Sequence, residues 1–352
     1  MASGFAASLV DWQRRHGRYA LPWQGSRDPY RVWLSEIMLQ QTQVTTVLGY
    51  YARFFQRFPD VVALAAASLD DVFGLWSGLG YYSRARNLHR CTQAVVHQHG
   101  GSFPRSAAQL MLLPGIGRST AAAIAVFCFG ERVAILDGNV KRVLTRLLAF
   151  DGDLAESKHE RELWSQATRL LPDRDIECYT QGLMDLGATL CTARAPSCPT
   201  CPVRGNCAAA IAGNPQRYPV KSRKLKRGTR EHVWLWLQWR DQAWLEQRPA
   251  TGVWAGLWSL PEFGSRAELD TASAAWPGEG ESLPSFTHTL THLDWTLHPV
   301  RWRLPDRIGS ARRAALERIW PSGRWFGQDE ALAAGLPAPV RKLLSCAGAA
   351  LS

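Results

Sequence analysis

Four of the chain's eight cysteines fall within 17 residues, as Cys191, Cys198, Cys201 and Cys207. Six, two and five residues separate them, and Pro196, Pro199 and Pro202 stiffen the loop. Four thiolates this close can surround one soft metal centre, a tetrahedral zinc or an iron–sulfur cluster, and spacing alone does not choose between the two. Disulfide pairing is the bland alternative, and it suits an oxidising compartment. The N-terminal stretch MASGFAASLVD has no basic residue ahead of its short apolar run, which argues against a cleaved signal peptide. Cys91, Cys128, Cys178 and Cys346 are scattered, as small buried hydrophobes or inert surface thiols are.

Two carboxylates sit in settings that could tune them. Glu36 lies in Trp33-Leu34-Ser35-Glu36-Ile37-Met38-Leu39, and a half-buried Glu there holds its proton near neutral pH. The plain reading is a solvated stripe of Glu36, Gln40 and Gln43 on one helical face. Asp137 follows the apolar Ile135-Leu136 and precedes a helical run of Val140, Val143, Leu144, Leu147 and Leu148. It suits an N-cap whatever else it does. Between them, Leu113-Pro114-Gly115-Ile116-Gly117-Arg118-Ser119 joins two short helices. Its two glycines allow close approach of the backbone, and the helix after it offers unpaired N–H groups to a phosphate. A ligand-free helix–helix turn reads the same way.

The elements that must carry these groups change character along the chain. The first two-thirds is helical. Asp28-Pro29 starts a helix, and apolar residues recur at three and four from Trp33 through Phe55 to a stop at Pro59. Further helices are expected at 69–76, 83–99, 107–112, 119–129, 139–150, 158–171 and 176–190. Residues 212–230 carry seven basic residues, two prolines and no acid, the mark of a linker. Eleven of the 16 tryptophans follow residue 230, where 233–239 and 243–248 read as a hairpin and Trp295, Leu297, Val300 and Trp302 lie in another extended stretch. The expected domains are a helical one at 1–211, the linker at 212–230, and a small α+β domain at 231–352.

Composition bounds the function. At 46% hydrophobic and 20% charged the chain is globular, and no apolar run reaches the ~18 residues of a membrane span. Forty-one basic against 30 acidic residues give a charge of +11, which favours a polyanion such as nucleic acid. Thirty-five of the basic residues are Arg, which suits phosphate, although a G+C-rich coding bias gives the same count.

Taken together, SEIMLQQTQV (35–44), GLGYYSRARNL (78–88), LPGIGRSTAAAI (113–124), ILDGNVKRVLTR (135–146), MDLGATLC (184–191) and the four-cysteine loop resemble the A/G-specific adenine DNA glycosylase (MutY) family. That family belongs to the helix-hairpin-helix base-excision glycosylases. LEQRPATGVWAGLWSLPEF (245–263) is similar to the family's C-terminal Nudix-like domain, so the resemblance covers nearly the whole chain. It implies a mostly α helix-hairpin-helix domain with a [4Fe–4S] loop on Cys191, Cys198, Cys201 and Cys207, followed by an α+β Nudix-like lesion-recognition domain. The implied activity is monofunctional removal of adenine opposite 8-oxoguanine or guanine in double-stranded DNA, by a cytoplasmic, nucleoid-associated monomer that needs no membrane.

The resemblance also assigns roles. Glu36 becomes the acid that protonates adenine N7, Asp137 the ionised partner of a cationic sugar, and Asn139 an orienting residue. Gln41 and Tyr81 become wedges in the duplex. Gly115, Gly117 and Ser119 hold a backbone phosphate, and Trp23, Leu39, Gln181 and Met184 line the adenine pocket. Thr291 and His292 read the oxidised guanine. In the family that loop commonly has Phe-Ser-His, and here Leu290 stands in the aromatic place. The alternative is an endonuclease III-like pyrimidine-damage glycosylase and lyase. Such an enzyme places a lysine two residues after the second hairpin glycine, where this chain has Ser119, and has VDTHI in place of LDGNV. A diphosphohydrolase would need an REx2E helix for Mg²⁺, and none occurs between Gly256 and Glu281.

Overall fold

The computed structural model describes the backbone of residues 2–222 and 226–348 and the side chains of 4–222 and 226–345. The middle of the basic linker, 223–225, and the Cys346 side chain lie outside the described residues. The chain divides into two compact units. One runs to Ala65 and resumes from Asn87 to the linker; the other joins Ala66–Arg86 to everything after the linker.

The first unit is helical. Its opening helix, Ala2–His16, buries Phe5 and Leu9 against Val140, Leu144 and Leu183, with Phe5 edge-on to Tyr179 at 6.1 Å. Each such side chain contributes ~1.5–3 kcal/mol by burial. The helix Pro29–Leu39 starts on Asp28, whose side chain accepts from the Tyr30 amide at 2.9 Å. The periodicity that suggests one helix as far as Pro59 is in fact two helices, Pro29–Leu39 and Val44–Arg57. The break falls at Gln41, whose φ of +57° no right-handed helix accepts. The apolar spacing runs on across it because both helices bury one face.

The hairpin consists of the short helix Ala107–Leu110 and the helix Arg118–Phe129, for which Gly117 is the N-cap. Gly115 has a φ of +76°, and a Cβ there would lie 2.6 Å from the Asn87 Cβ, so only glycine fits. The helix Gly138–Leu147 begins at Asp137, and Ile176–Thr189 packs against the opening helix.

The second unit is built on one eight-stranded sheet: β1 (Gly228–Trp239), β2 (Gln242–Gln247), β3 (Trp258–Ser259), β4 (Glu262–Phe263), β5 (Glu279–Ser282), β6 (Phe286–Thr289), β7 (Leu293–Leu304) and β8 (Gly323–Phe326). β1 and β7 pair in parallel from Gly228↔Leu293 to Trp239↔Leu304, and the other pairings are antiparallel. Val233, Leu235 and Leu237 alternate into a core with Trp244, Leu269, Val300 and Leu316. The turn between β6 and β7 carries Thr291 and His292.

Ala66–Arg86 lies inside the 1–211 span that the sequence reads as one domain, but its packing is with the second unit. The helix Leu69–Trp76 starts with a capping box of Ser68 and Asp71 and buries Val72, Phe73 and Trp76. Trp258 Nε1 donates to Asp70 at 3.2 Å, Tyr82 Oη donates to the Leu336 carbonyl at 2.9 Å, and Arg341 Nε donates to Ser77 Oγ at 2.9 Å. Gly335 lies so close to Phe73 that a Cβ on it would come within 2.4 Å.

Candidate active site and cysteine cavity

Glu36 opens into a pocket of about 130 Å³, and Arg18, Trp23, Leu39, Gln181 and Met184 share its wall. All four residues expected to line a base pocket are therefore gathered around the expected acid. Trp33 and Ile37 flank Glu36 in the buried face of its helix. Burial, and then the nearby charge of Asp137, push the Glu36 carboxyl from 4.5 up to about 8. It is protonated at neutral pH.

Asp137 is tuned from both sides. Burial raises its carboxyl above the usual range. Opposing that are the Val140 amide, which donates to Oδ1 at 2.7 Å, the Asn139 amide, and the charges of Arg142 and Lys141. It is the N-cap as well, so the structural and the chemical reading of this residue are one geometry. Asn139 is fixed: its Oδ1 accepts from Arg142 Nη2 at 2.7 Å, and Arg142 also donates to the carbonyls of Gly187 at 2.6 Å and Cys191 at 2.7 Å.

Two residues of this site escape the sequence reading. Asp185 is 0% exposed, and its carboxylate takes the Arg18 Nε at 2.7 Å, the Arg18 amide at 3.0 Å and Gln181 Nε2 at 2.9 Å. One buried carboxylate thus sets two pocket side chains. Arg18 sits in the polar run RRHGR, which reads as solvated surface, and Asp185 carries no pattern of its own.

The two expected wedges share an unusual property. Gln41 and Tyr81 are both exposed, and both have positive φ, +57° and +48°, without being glycine. Such strain persists where surrounding contacts impose it. In the second unit, Arg84 donates to the carbonyls of Leu79 at 3.1 Å and Gly80 at 3.3 Å and so braces the Tyr81 turn. The Tyr81 hydroxyl lies 3.0 Å from Thr291 Oγ1, so the residue expected as a wedge and the one expected to read the lesion touch directly. His292 is exposed, with its carbonyl accepting from the Gly228 amide at 3.0 Å. Ser119 is turned to the structure rather than outward: its Oγ accepts from the Leu136 amide at 3.1 Å, next to Asp137.

Cys191, Cys198, Cys201 and Cys207 line one cavity with Val143, Arg146 and other mostly apolar neighbours. None of the four is in a disulfide. Burial pushes the Cys201 thiol up to about 11 and raises Cys207 too. Among the described residues no three His, Cys, Asp or Glu side chains approach closely enough to hold a single metal ion. Of the scattered cysteines, Cys91 and Cys128 are buried and Cys178 is partly so.

The class follows from these features and from comparison. Residues 34–169 match the HhH-GPD superfamily of base excision DNA repair proteins, and residues 232–346 match the NUDIX domain. A thermostable thymine-DNA glycosylase is 27% identical, with a TM-score of 0.53 over 60% of this chain and 97% of that one. A non-covalent endonuclease III–DNA complex, at 22% identity and a TM-score of 0.51, shares the fold over 60% of this chain and 98% of that one. The adenine DNA glycosylase of Buchnera aphidicola (from Acyrthosiphon pisum) is 34% identical over 97% of this chain and 96% of its own length. That of Homo sapiens is 32% identical over 97% and 73%. The chain belongs to the adenine DNA glycosylase family.

Proposed function

We propose that the protein removes adenine mispaired with 8-oxoguanine or guanine from double-stranded DNA, as a monofunctional glycosylase. The observation that carries this reading is Glu36 in the wall of a pocket shared with Trp23, Leu39, Gln181 and Met184, its carboxyl pushed up to about 8 by burial and the charge of Asp137. Adenine is a poor leaving group on a carbon that becomes oxocarbenium-like. A neutral acid and an ionised carboxylate are what such a departure needs. Glu36 gives its proton to adenine N7. Asp137, whose charged form two amides and two cations favour against the effect of burial, faces the positive charge that grows on the sugar.

The base leaves the stack first, at a cost of a few kcal/mol. Gln41 and Tyr81 fill the space it vacates, on turns already bent to present them. The amides at Gly115 and Gly117 take a backbone phosphate, and the net charge of +11 draws the duplex in. Ser119, with its hydroxyl engaged by Leu136, supplies no amine for a Schiff base. Under single-turnover conditions, free adenine is expected from a duplex carrying adenine opposite 8-oxoguanine, with strand breaks only after hot alkali. Efficient nicking without alkali would overturn the monofunctional reading.

Guanine and 8-oxoguanine differ at C8 and N7, and Thr291 can both donate and accept there. A site built on that hydrogen bond penalises the partner that cannot make it by ~1–3 kcal/mol. Thr291→Ala combined with His292→Ala is expected to narrow the rate or affinity gap between the two duplexes by about tenfold or more. An unchanged ratio would place lesion reading elsewhere.

The cysteine loop suits a [4Fe–4S] cluster. All four thiols line one cavity, and a cation bound there would stabilise as thiolates the sulfurs that burial otherwise keeps protonated. Such a group folds and fixes the loop. Protein purified without air should be brown, with about four iron per chain by the rule for four-cysteine clusters. Stoichiometric zinc without iron would refute the assignment.

A further inference from the structure

Arg146 is buried, 2% exposed, on the helix Gly138–Leu147. Its guanidinium donates to the carbonyls of Pro215 at 2.9 Å, Tyr218 at 3.2 Å, Thr192 at 2.7 Å and Ala193 at 3.0 Å. A fifth bond goes to Cys191 Sγ at 3.3 Å, and the Cys207 thiol donates back to the Arg146 carbonyl at 3.4 Å. These partners are carbonyl oxygens and sulfurs, with no carboxylate among them. Arg142 brings a second guanidinium to the same place, through Cys191 O at 2.7 Å. Carbonyls satisfy the N–H groups of Arg146 but leave its charge uncompensated, and an uncompensated buried cation is strongly unfavourable.

The cavity that Arg146 lines is where compensation is available. A cluster held by four thiolates carries net negative charge, and a cation beside the sulfurs is among the features that set its stability and potential. Resting on the cluster reading above, we infer that Arg146 is the built-in counter-cation of the cysteine-bound group, holding it by charge as well as tying together the segments that frame it. The reciprocal consequence is that the group is the anion this buried arginine requires.

Iron release from the full-length, iron-loaded protein to an iron(II) chelator tests this. Arg146→Gln keeps hydrogen-bond donors and drops the charge; Arg146→Lys keeps the charge and loses the planar fork. The Gln variant should release iron at least tenfold faster than wild type, with the Lys variant within threefold of it. Equal acceleration in both would make Arg146 a staple of carbonyls and overturn the inference, as would no acceleration in either. If Arg146→Gln yields no soluble protein, Arg146→His takes its place. Relative to wild type at the same pH, it should hold iron at pH 5.5 and lose it at least tenfold faster at pH 8. A His variant with the same ratio at both pH values would overturn the inference. Wild-type protein shown by metal analysis to carry no iron before chelation would instead refute the cluster itself.

Discussion

Glu36→Gln is expected to slow adenine release by ~10²–10⁴-fold while leaving duplex binding nearly unchanged. Gln matches the volume and polarity of the protonated acid but has no proton to give. Two pH measurements sharpen the expectation. The wild-type rate should fall as pH rises through about 8, where Glu36 loses its proton, and the residual rate of the variant should lack that step. Stability should move the other way. The native state holds a proton on Glu36 that the unfolded chain gives up above 4.5, so the contribution of this residue falls as pH rises from 4.5 to about 8. Gln escapes that loss. The variant should melt higher than wild type at pH 8, with the advantage gone at pH 4. A variant that keeps more than a few per cent of the wild-type rate removes Glu36 from the acid role.

Ending the chain at residue 225 is expected to keep the chemistry and the Gln41 turn, and to lose the support of the Tyr81 turn and the discrimination. Glu36, Asp137 and the four cysteines all belong to the first unit. Val72, Phe73 and Trp76 are 0% exposed, and Phe73 packs directly against Gly335, beyond the cut, in the unit that this segment shares with the C-terminal half. Exposing three such side chains costs ~1.5–3 kcal/mol each, a large part of the ~5–15 kcal/mol that holds a domain together. Residues 66–86 should then become protease-sensitive and exchange their amides rapidly. Excision opposite 8-oxoguanine should fall towards the rate opposite guanine. Protection of that segment in the shortened protein would contradict the packing, and full discrimination would show that the reader lies in the first unit.

The sequence carried the local and the chemical well. Helices from Leu69–Trp76 to Ile176–Thr189 are legible from the recurrence of their apolar residues, helped at Ser68, Ser106 and Asp137 by capping side chains. The pocket is legible in part: Leu39 and Met184 lie in family motifs, whereas Trp23 and Gln181 lie outside them and match only as single positions. Periodicity could not reveal the turn at Gln41, because it records burial and says nothing of the sign of φ. Nor could it reveal the parallel pairing of β1 with β7, whose partners are far apart along the chain. Asp185 is illegible for a related reason: a carboxylate inside an apolar helix face has meaning only once Arg18 is seen folding back onto it.

The discontinuity of the second unit also has a consequence in time. Ser77 must wait for Leu336, 259 residues later, and for Arg341, 264 residues later. At about 5–20 residues per second, that is a delay on the order of 15–50 s on the ribosome. Throughout it, the apolar face of Leu69–Trp76 stands uncovered, a ready target for chaperones, while residues of the helical unit on either side can already fold. The nascent chain can therefore assemble the Glu36 pocket and the Gln41 turn well before the Tyr81 turn and the Thr291 turn have their packing. Tyr81 and Thr291, joined by their hydroxyls, take up their places together only after the strands of the second unit are made.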